Sequence, residues 1–116
     1  MILVIGGAAS GKRSYVENIL GYSPSDMSSG VIDSKPVVLN LQDLVAASPG
    51  KYRDLLSALL DKEVVVCNET GSGVVPIDRA QRIACEETGR LCILLAERAE
   101  KVVRLVCGVP VVIKGQ

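Results

Sequence analysis

The chain has 116 residues, of which 48% are hydrophobic and 22% are charged. This composition excludes a disordered protein, and the length predicts a single domain covering residues 1–116. Thirteen basic residues balance thirteen acidic ones, which argues against binding to nucleic acid through a large positive field. Histidine is absent, so no imidazole can serve as a general base, a metal ligand or a covalent phosphate carrier.

The cysteines and the apolar runs indicate in which cellular compartment the protein works. Cys67, Cys85, Cys92 and Cys107 form no Cys-x-x-Cys pair, so neither a zinc ribbon nor a redox motif fits. We interpret each of them as a small hydrophobic residue. The first apolar run is too short for a signal peptide, and no apolar stretch approaches the length of a membrane span. We therefore expect a soluble, cytoplasmic protein that has no membrane partner.

The first third of the chain predicts a strand, a helix and a loop. Residues 2–5 are a continuous apolar run, which is typical of a strand buried on both faces. A glycine-rich segment follows, and apolar residues at helical spacing predict a helix over residues 12–20. Residues 21–35 contain Ser, Gly, Asp and Pro without a period, which predicts a mobile middle loop.

The rest of the chain alternates strands and helices. In chain order, the pattern predicts strand 36–39, helices 41–47 and 52–60, strand 63–67, a helix opening at residues 76–78, and strands 102–107 and 111–113. We expect Gly89 to divide the long helix and residues 108–110 to form the turn of a C-terminal hairpin. This rhythm predicts an α/β, P-loop NTPase-like three-layer fold with a mostly parallel sheet and a C-terminal β-hairpin.

A phosphate-binding pattern, G-x-x-x-x-G-K, lies between the first strand and the first helix. It reads Gly6-Gly7-Ala8-Ala9-Ser10-Gly11-Lys12. Small residues let successive backbone N–H groups surround phosphate oxygens, the helix N-terminus adds its dipole, and the lysine neutralises the outer phosphates. A turn that binds nothing would not need the strand, the spacing and the lysine together. We predict that residues 6–14 bind the phosphates of a nucleotide.

The residue after the lysine departs from this pattern. The motif requires Ser or Thr there as a ligand of Mg²⁺, but the chain has Arg13, with Ser14 following. Because a helix turns about 100° per residue, Ser14 cannot replace its neighbour without local rearrangement. Arg13 is either a solvated helix charge or a cation at the position of Mg²⁺. We expect nucleotide binding to survive this change better than catalysis.

Two segments together resemble a known family. Residues 1–12, followed by Tyr15-Val16-Glu17, and residues 68–76, which read N-E-T-G-S-G-V-V-P, are similar to the adenosylcobinamide kinase/adenosylcobinamide-phosphate guanylyltransferase family. The ending C-G-V-P-V-V-I-K at residues 107–114 resembles the tail of that family. The likeness covers residues 1–17 and 63–114. It implies a P-loop fold, ATP or GTP as the nucleotide, Mg²⁺ if the chain is catalytically active, and adenosylcobinamide as a substrate.

The departures from the family leave three functions open. The family takes up GMP on a histidine, so the absence of histidine excludes guanylyl transfer by that route. The middle of the chain is shorter, and Asn40 lies where the family has an acidic strand end. The chain is then a kinase of the adenosylcobinamide type, a nucleotide- or corrinoid-binding homologue without turnover, or an assembly subunit whose P-loop is only architectural.

Lys12 and Glu69 are the residues that we predict to be catalytic. Ligands of open α/β sheets bind beyond the carboxyl ends of the strands, so residues 6–12 and Asn68-Glu69 should face one cleft. Glu69 either holds Mg²⁺ through water, accepts the substrate proton, or is a structural carboxylate bound to the backbone of the turn at residues 71–73. We predict no direct metal ligand in the chain.

The C-terminal region is our candidate for contact between copies of the chain. A sheet this small leaves hydrophobic surface uncovered, and an edge strand presents unpaired backbone groups. Members of the family that the chain resembles are oligomers. We therefore predict a homo-oligomer with its interface at residues 102–113.

Overall fold

A six-stranded sheet organises residues 1–7, 9–69 and 78–115, the part of the chain that the computed structural model describes. The strands are β1 (Ile2–Gly6), β2 (Met27–Ser29), β3 (Val37–Leu39), β4 (Val64–Asn68), β5 (Lys101–Val106) and β6 (Val109–Lys114). The α-helices are α1 (Lys12–Asn18), α2 (Leu41–Ala47), α3 (Leu56–Leu60) and α4 (Arg79–Arg98). Two 3-10 helices, Pro24–Asp26 and Tyr52–Leu55, precede β2 and α3.

The sheet is parallel except at one edge. Its strand order is β2-β3-β4-β1-β5-β6, and only β6 runs antiparallel, beside β5. Strand β1 lies between β4 and β5, and its last residue, Gly6, is in register with Asn68 and Leu105. The predicted α/β fold with a mostly parallel sheet and a C-terminal hairpin is confirmed. The loop after β1 therefore begins at the centre of the carboxyl edge of the sheet.

Hydrophobic cores lie on both faces of the sheet, because successive strand residues point in opposite directions. On one face α2, α3 and α4 cover strand residues such as Leu3 and Val65. On the other face Tyr15 and Val16 of α1 pack against their strand neighbours Val4 and Val66. The apolar runs predicted as strands are continuous for this reason, since both faces of β1 and β4 are covered.

Helix α4 runs without interruption through Gly89, so the predicted division of this helix is wrong. Asp78 caps its first turn by accepting a hydrogen bond from the backbone N–H of Ala80 at 2.7 Å. Glycine costs a helix about 1 kcal/mol relative to alanine. Burial of Thr88, Leu91 and Leu95 on the sheet outweighs this cost. Within the described ranges, no helix is both long and apolar enough to cross a membrane.

The middle segment contains a strand, so the prediction of a loop over all of residues 21–35 is wrong. Met27–Ser29 forms β2, which pairs in parallel with β3 at the edge of the sheet. Met27 and Ser28 are buried, and the hydroxyl of Ser28 donates a hydrogen bond to Asp33 Oδ1. A strand of three residues is too short to show a period in the sequence, which explains why the pattern did not predict it.

The C-terminal hairpin turns at Cys107 and Gly108, one residue earlier than predicted. Both residues have positive φ, 51° and 78°, as the tight turn of a two-residue hairpin requires. Val109 and Pro110, which the pattern placed in the turn, belong to β6. Proline fits there because β6 is an edge strand and an edge tolerates a missing N–H. All six residues of β6 are exposed.

Candidate functional site

A cavity of about 450 Å³ opens at the carboxyl edge of the sheet. One wall is formed by residues 9–14 of the loop after β1 and the start of α1. The facing wall comes from the ends of β2, β3 and β4, and it consists of Ser29, Leu39, Asn40, Val66 and Asn68. The expectation that the loop and the end of the 63–67 strand face one cleft agrees with this geometry for Asn68.

The loop after β1 folds back on its own backbone. The Nζ atom of Lys12 donates to the carbonyl oxygen of Gly7 at 2.6 Å, and Ser10 Oγ lies 3.5 Å from the same Nζ. The backbone N–H of Ser10 donates to Gly7 O at 3.2 Å. Gly108, in the hairpin turn, donates its N–H to Ser10 O at 3.0 Å. These hydrogen bonds hold the described residues of the loop together, with Lys12 at the cavity wall.

Gly6 is required by the close approach of this loop. A Cβ atom at Gly6 would collide with Ser10 Oγ and would lie 2.9 Å from the carbonyl oxygen of Leu105. A Cβ atom at Gly7 would meet nothing within 4 Å. The first glycine of the predicted motif is thus a packing requirement. Ala8, also predicted to contact phosphate, lies outside the described residues.

Lys12 is partly removed from water. Burial lowers its pKa below the ordinary 10.5, while Cys67 and Glu69 act in the opposite direction when they are charged. Cys67 stays a neutral thiol, because a hydrogen bond with Cys92 and burial both raise the pKa of Cys67. Glu69 is already paired with Arg104, so a bound anion would add negative charge beside this partly buried ammonium, which favours phosphate at this position.

Arg13 and Ser14 continue the same wall along α1. The guanidinium of Arg13 is exposed, and its Nε donates to Glu17 Oε1 at 3.2 Å, one helical turn away. Ser14 Oγ accepts a hydrogen bond from Asn18 Nδ2 at 3.1 Å. Both residues line the cavity, so residues 9–14 of the predicted phosphate-binding segment share one surface.

The polar groups of the facing wall are neutral, and Gln42, which is not itself part of the cavity lining, links them by hydrogen bonds. Asn40 Nδ2 donates to Ser29 Oγ at 2.6 Å, and Asn40 Oδ1 accepts from Gln42 Nε2 at 3.3 Å. Gln42 Oε1 in turn accepts from the backbone N–H of Asn68 at 3.1 Å. We call Ser29, Asn40, Gln42 and Asn68 the amide wall. It connects the ends of three neighbouring strands without a carboxylate.

Sequence reasoning missed two members of the amide wall. Ser29 was overlooked because its strand was predicted as a loop. Gln42 was overlooked because it lies within the first turn of a predicted helix. A usable signal was present, since each of Ser29, Asn40 and Asn68 stands at or just after the end of a strand, where parallel sheets place their ligands.

The carboxylate of Glu69 pairs with an arginine and does not line the cavity. Its carboxylate accepts two hydrogen bonds from Arg104 of β5, from Nε to Oε1 and, at 3.1 Å, from Nη2 to Oε2. Its backbone N–H donates to Gly6 O at 2.8 Å. This carboxylate raises the pKa of Arg104. Glu69 is not part of the cavity lining, and its predicted alternative partners at residues 71–73 lie outside the described residues.

Comparison with known proteins supports the resemblance to one family. The family model described as cobinamide kinase / cobinamide phosphate guanyltransferase matches residues 36–113. The chain is similar to the bifunctional adenosylcobalamin biosynthesis protein CobP of Pseudomonas aeruginosa, with 40% identity over 63 residues. That match covers 54% of this chain and 36% of CobP, so the chain spans about a third of this relative.

A second relative is the dynamin-1-like protein drp-1 of Caenorhabditis elegans. It is 28% identical over 91 residues, which are 78% of this chain and 13% of drp-1. The family model begins at residue 36 and therefore does not include the loop after β1. The phosphate-binding motif and the family match are thus separate observations on different parts of the chain.

Proposed function

The chain belongs to the cobinamide kinase / cobinamide phosphate guanyltransferase family, and from this premise we propose that residues 1–116 form one P-loop domain that binds the triphosphate of ATP or GTP. The proposed phosphate site is residues 6–14, with Lys12 as the residue that binds the outer phosphates. Membership in this family supports a role in cobalamin biosynthesis.

The position of Lys12 is the observation that carries this proposal. The motif alone specifies a glycine-rich turn with a lysine, but the fold brings that lysine to the wall of the 450 Å³ cavity. Burial disfavours its charge, and Gly7 O is its closest partner. A phosphate group in the cavity would replace a neutral carbonyl partner with an anion, and hydrogen bonds between charged groups are about twice as strong as neutral ones.

The reaction that we propose for the active protein is phosphorylation of adenosylcobinamide. Lys12 would neutralise the transferred phosphate, and Glu69 is our candidate to accept the proton of the substrate hydroxyl. That role requires the ion pair between Glu69 and Arg104 to open first. Guanylyl transfer through a histidine is excluded in this chain, because the chain contains no histidine.

A specific observation favours a second function, nucleotide or corrinoid binding without turnover. The residue after Lys12 is Arg13, and the strand end at Asn40 carries an amide in place of a carboxylate. In P-loop enzymes these two positions hold the Mg²⁺ that bridges the phosphates and neutralises the charge that develops during transfer. A subunit of an assembly with an architectural P-loop is the remaining alternative, and it predicts that neither nucleotide nor corrinoid binds.

Calorimetric titration with ATP and GTP tests the proposal. We expect binding to the native chain and a loss of about tenfold to a hundredfold in Lys12→Ala, since hydrogen bonds to charged groups contribute about 1.5–3 kcal/mol. Lys114→Ala is the matched control. Lys114 lies on β6, away from the loop, and its Nζ also donates to backbone carbonyls, those of Ala96 and Glu97 on α4. Equal affinities in native and Lys12→Ala proteins would contradict the proposal.

A phosphorylation assay then separates the two functions. The native chain is incubated with adenosylcobinamide, ATP or GTP and Mg²⁺, and adenosylcobinamide phosphate is measured by mass spectrometry. Product that depends on Lys12 identifies the kinase. Nucleotide binding without product identifies the homologue without turnover.

We also propose that two or more copies of the chain associate through β6. This strand ends the sheet, and Val109, Val111, Val112 and Ile113 are between 47% and 61% exposed. An open edge with apolar side chains on it favours pairing with another strand. Light scattering should show an oligomer that Val112→Lys disrupts and Val31→Lys, an exposed position on the middle segment, does not. A monomeric native chain well above micromolar concentration would contradict this proposal.

A further inference from the structure

The nucleotide cavity contains cations but no carboxylate among its lining residues. Lys12 and Arg13 supply two positive charges, and the other polar lining groups are hydroxyls and amides. Asp and Glu are also absent from residues 70–77, which follow β4. The charged groups of the lining are therefore all cationic, which favours an anionic ligand.

These residues do not fit Mg²⁺, which the family implies. Magnesium prefers oxygen ligands in octahedral geometry, commonly a carboxylate and the hydroxyl that follows the P-loop lysine. The residue after Lys12 is Arg13, which offers only donors. The side-chain oxygen of Asn40 accepts from Gln42, and its amide nitrogen donates to Ser29. Both polar atoms of the Asn40 side chain thus already have a hydrogen-bond partner.

Two carboxylates that neighbour lining residues are paired with arginines. Glu17 accepts from Arg13 at 3.2 Å, and Glu69 accepts twice from Arg104. Moving either carboxylate into the cavity would break an ion pair. Over the described residues, no group of three or more His, Cys, Asp or Glu side chains is placed to hold a metal ion.

We propose that this cavity binds the nucleoside triphosphate as the metal-free anion, with the guanidinium of Arg13 supplying the positive charge that Mg²⁺ supplies in related sites. The inference rests on the proposed function of nucleotide binding. Arg13 uses Nε to reach Glu17, and its two terminal nitrogens bond no other residue of the described part of the chain. A guanidinium presents these nitrogens as a planar fork that matches two phosphate oxygens.

A metal would compete with Arg13 rather than assist it. A nucleotide that carries Mg²⁺ has two fewer negative charges to offer to Lys12 and Arg13, and it brings a cation toward a guanidinium. Chelated Mg²⁺ is therefore expected to lower or leave unchanged the affinity for ATP. In a P-loop that uses the metal, removal of Mg²⁺ weakens the binding of the triphosphate.

The test is calorimetric titration with ATP in EDTA and in excess Mg²⁺, on the native chain, Arg13→Thr and Arg90→Thr. Thr at position 13 restores the hydroxyl of the motif. Arg90 is the matched control, since it is 59% exposed against 60% for Arg13, and it also pairs with a glutamate one turn away, Glu86, but on α4. We expect native binding in EDTA to be as tight as in Mg²⁺ or tighter.

The two variants should distinguish a specific contribution of Arg13 to ATP binding from the general effect of removing one positive charge. Arg13→Thr should lose tenfold or more in EDTA and recover part of that loss in Mg²⁺, while Arg90→Thr should match the native chain in both buffers. Native binding that requires Mg²⁺ would overturn the metal-free site and leave the proposed function intact. No binding in either buffer would overturn both, and equal losses in the two variants would overturn the role given to Arg13. Circular dichroism confirms that each variant is folded.

Discussion

The two walls of the cavity differ in which parts of a P-loop site they contain. The loop after β1 retains the glycines and Lys12, and it is closed by hydrogen bonds within itself and to the hairpin turn. The amide wall, at the ends of β2, β3 and β4, holds neutral groups where metal-dependent P-loop enzymes place a carboxylate. Under our proposals the first wall binds phosphate, whereas the second does not hold a metal. The proposals therefore treat phosphate binding and metal binding as separable properties of one fold.

The largest effect is expected from disturbing the packing behind residues 9–14, which we call the loop wall. Gly6→Ala should lower the free energy of unfolding by about 1–3 kcal/mol, because the added Cβ collides with Ser10 Oγ and approaches Leu105 O. Urea denaturation measures this loss, and ATP affinity should fall with it. Gly7→Ala is the control, since nothing lies within 4 Å of its Cβ position, and it should change stability by less than about 0.5 kcal/mol. Similar losses in the two variants would contradict the packing of the loop.

Placing a carboxylate in the amide wall should change the behaviour of the site toward metal. Asn40→Asp adds a negative charge opposite Lys12, so ATP should bind about tenfold more weakly in EDTA and regain affinity in Mg²⁺. The substitution suits the backbone, because Asn40 has φ 57° and aspartate tolerates that region. Gln81→Glu adds the same charge on α4 and should not alter ATP binding. An unchanged Asn40→Asp variant would show that the wall does not face the nucleotide.

The pH dependence of binding should report on the lysine of the loop wall. Only protonated Lys12 attracts phosphate, and burial lowers its pKa from the ordinary 10.5. ATP affinity should therefore decrease as the pH rises, beginning at a lower pH than an exposed lysine would give. Titrations from neutral to alkaline pH measure this decrease. Lys12→Arg should remove it, because arginine stays charged throughout that range; a decrease that persists in Lys12→Arg would assign it to another group.

The smallest change in stability is expected at Glu69. This residue follows Asn68 of the amide wall in sequence, but its side chain pairs with Arg104 on β5. Glu69→Gln should lower stability by at most about 1 kcal/mol, since its partner Arg104 is half exposed and surface ion pairs contribute little. Glu86→Gln, which breaks the more exposed pair with Arg90, should cost less. Denaturant midpoints compare the two variants. A loss of several kcal/mol in Glu69→Gln would mean that this ion pair is essential for joining β4 to β5.

Sequence patterns predicted the elements whose signals are local and strong. The buried runs of β1 and β4, the phosphate-binding motif and the hairpin are visible as continuous apolar residues, spacing and turn residues. Strand β2 and the uninterrupted helix at Gly89 depend on packing against distant residues, and no local pattern encodes that packing. The prediction for Glu69 named Mg²⁺ through water, the substrate proton and the turn at residues 71–73 as its partners, and did not include Arg104. Its arginine lies 35 residues away and meets it only because β4 and β5 flank β1.

Only one wall of the candidate site could be predicted from the sequence, for the same reason. The loop wall belongs to one continuous segment, so residues 6–14 could be selected from the motif. The amide wall is assembled from three separate strand ends, and its hydrogen bonds follow from the strand order. Strand order is not encoded by the spacing of any single motif.

The most direct test of the account is a two-dimensional ¹H–¹⁵N spectrum of the native chain recorded during titration with ATP in EDTA. The account predicts that the backbone amides of residues 9–14 shift most, that the side-chain amide of Asn40 shifts with them, and that β6 is unaffected. An absence of shifts in residues 9–14, or shifts concentrated in β5 and β6, would contradict a phosphate site in the loop after β1.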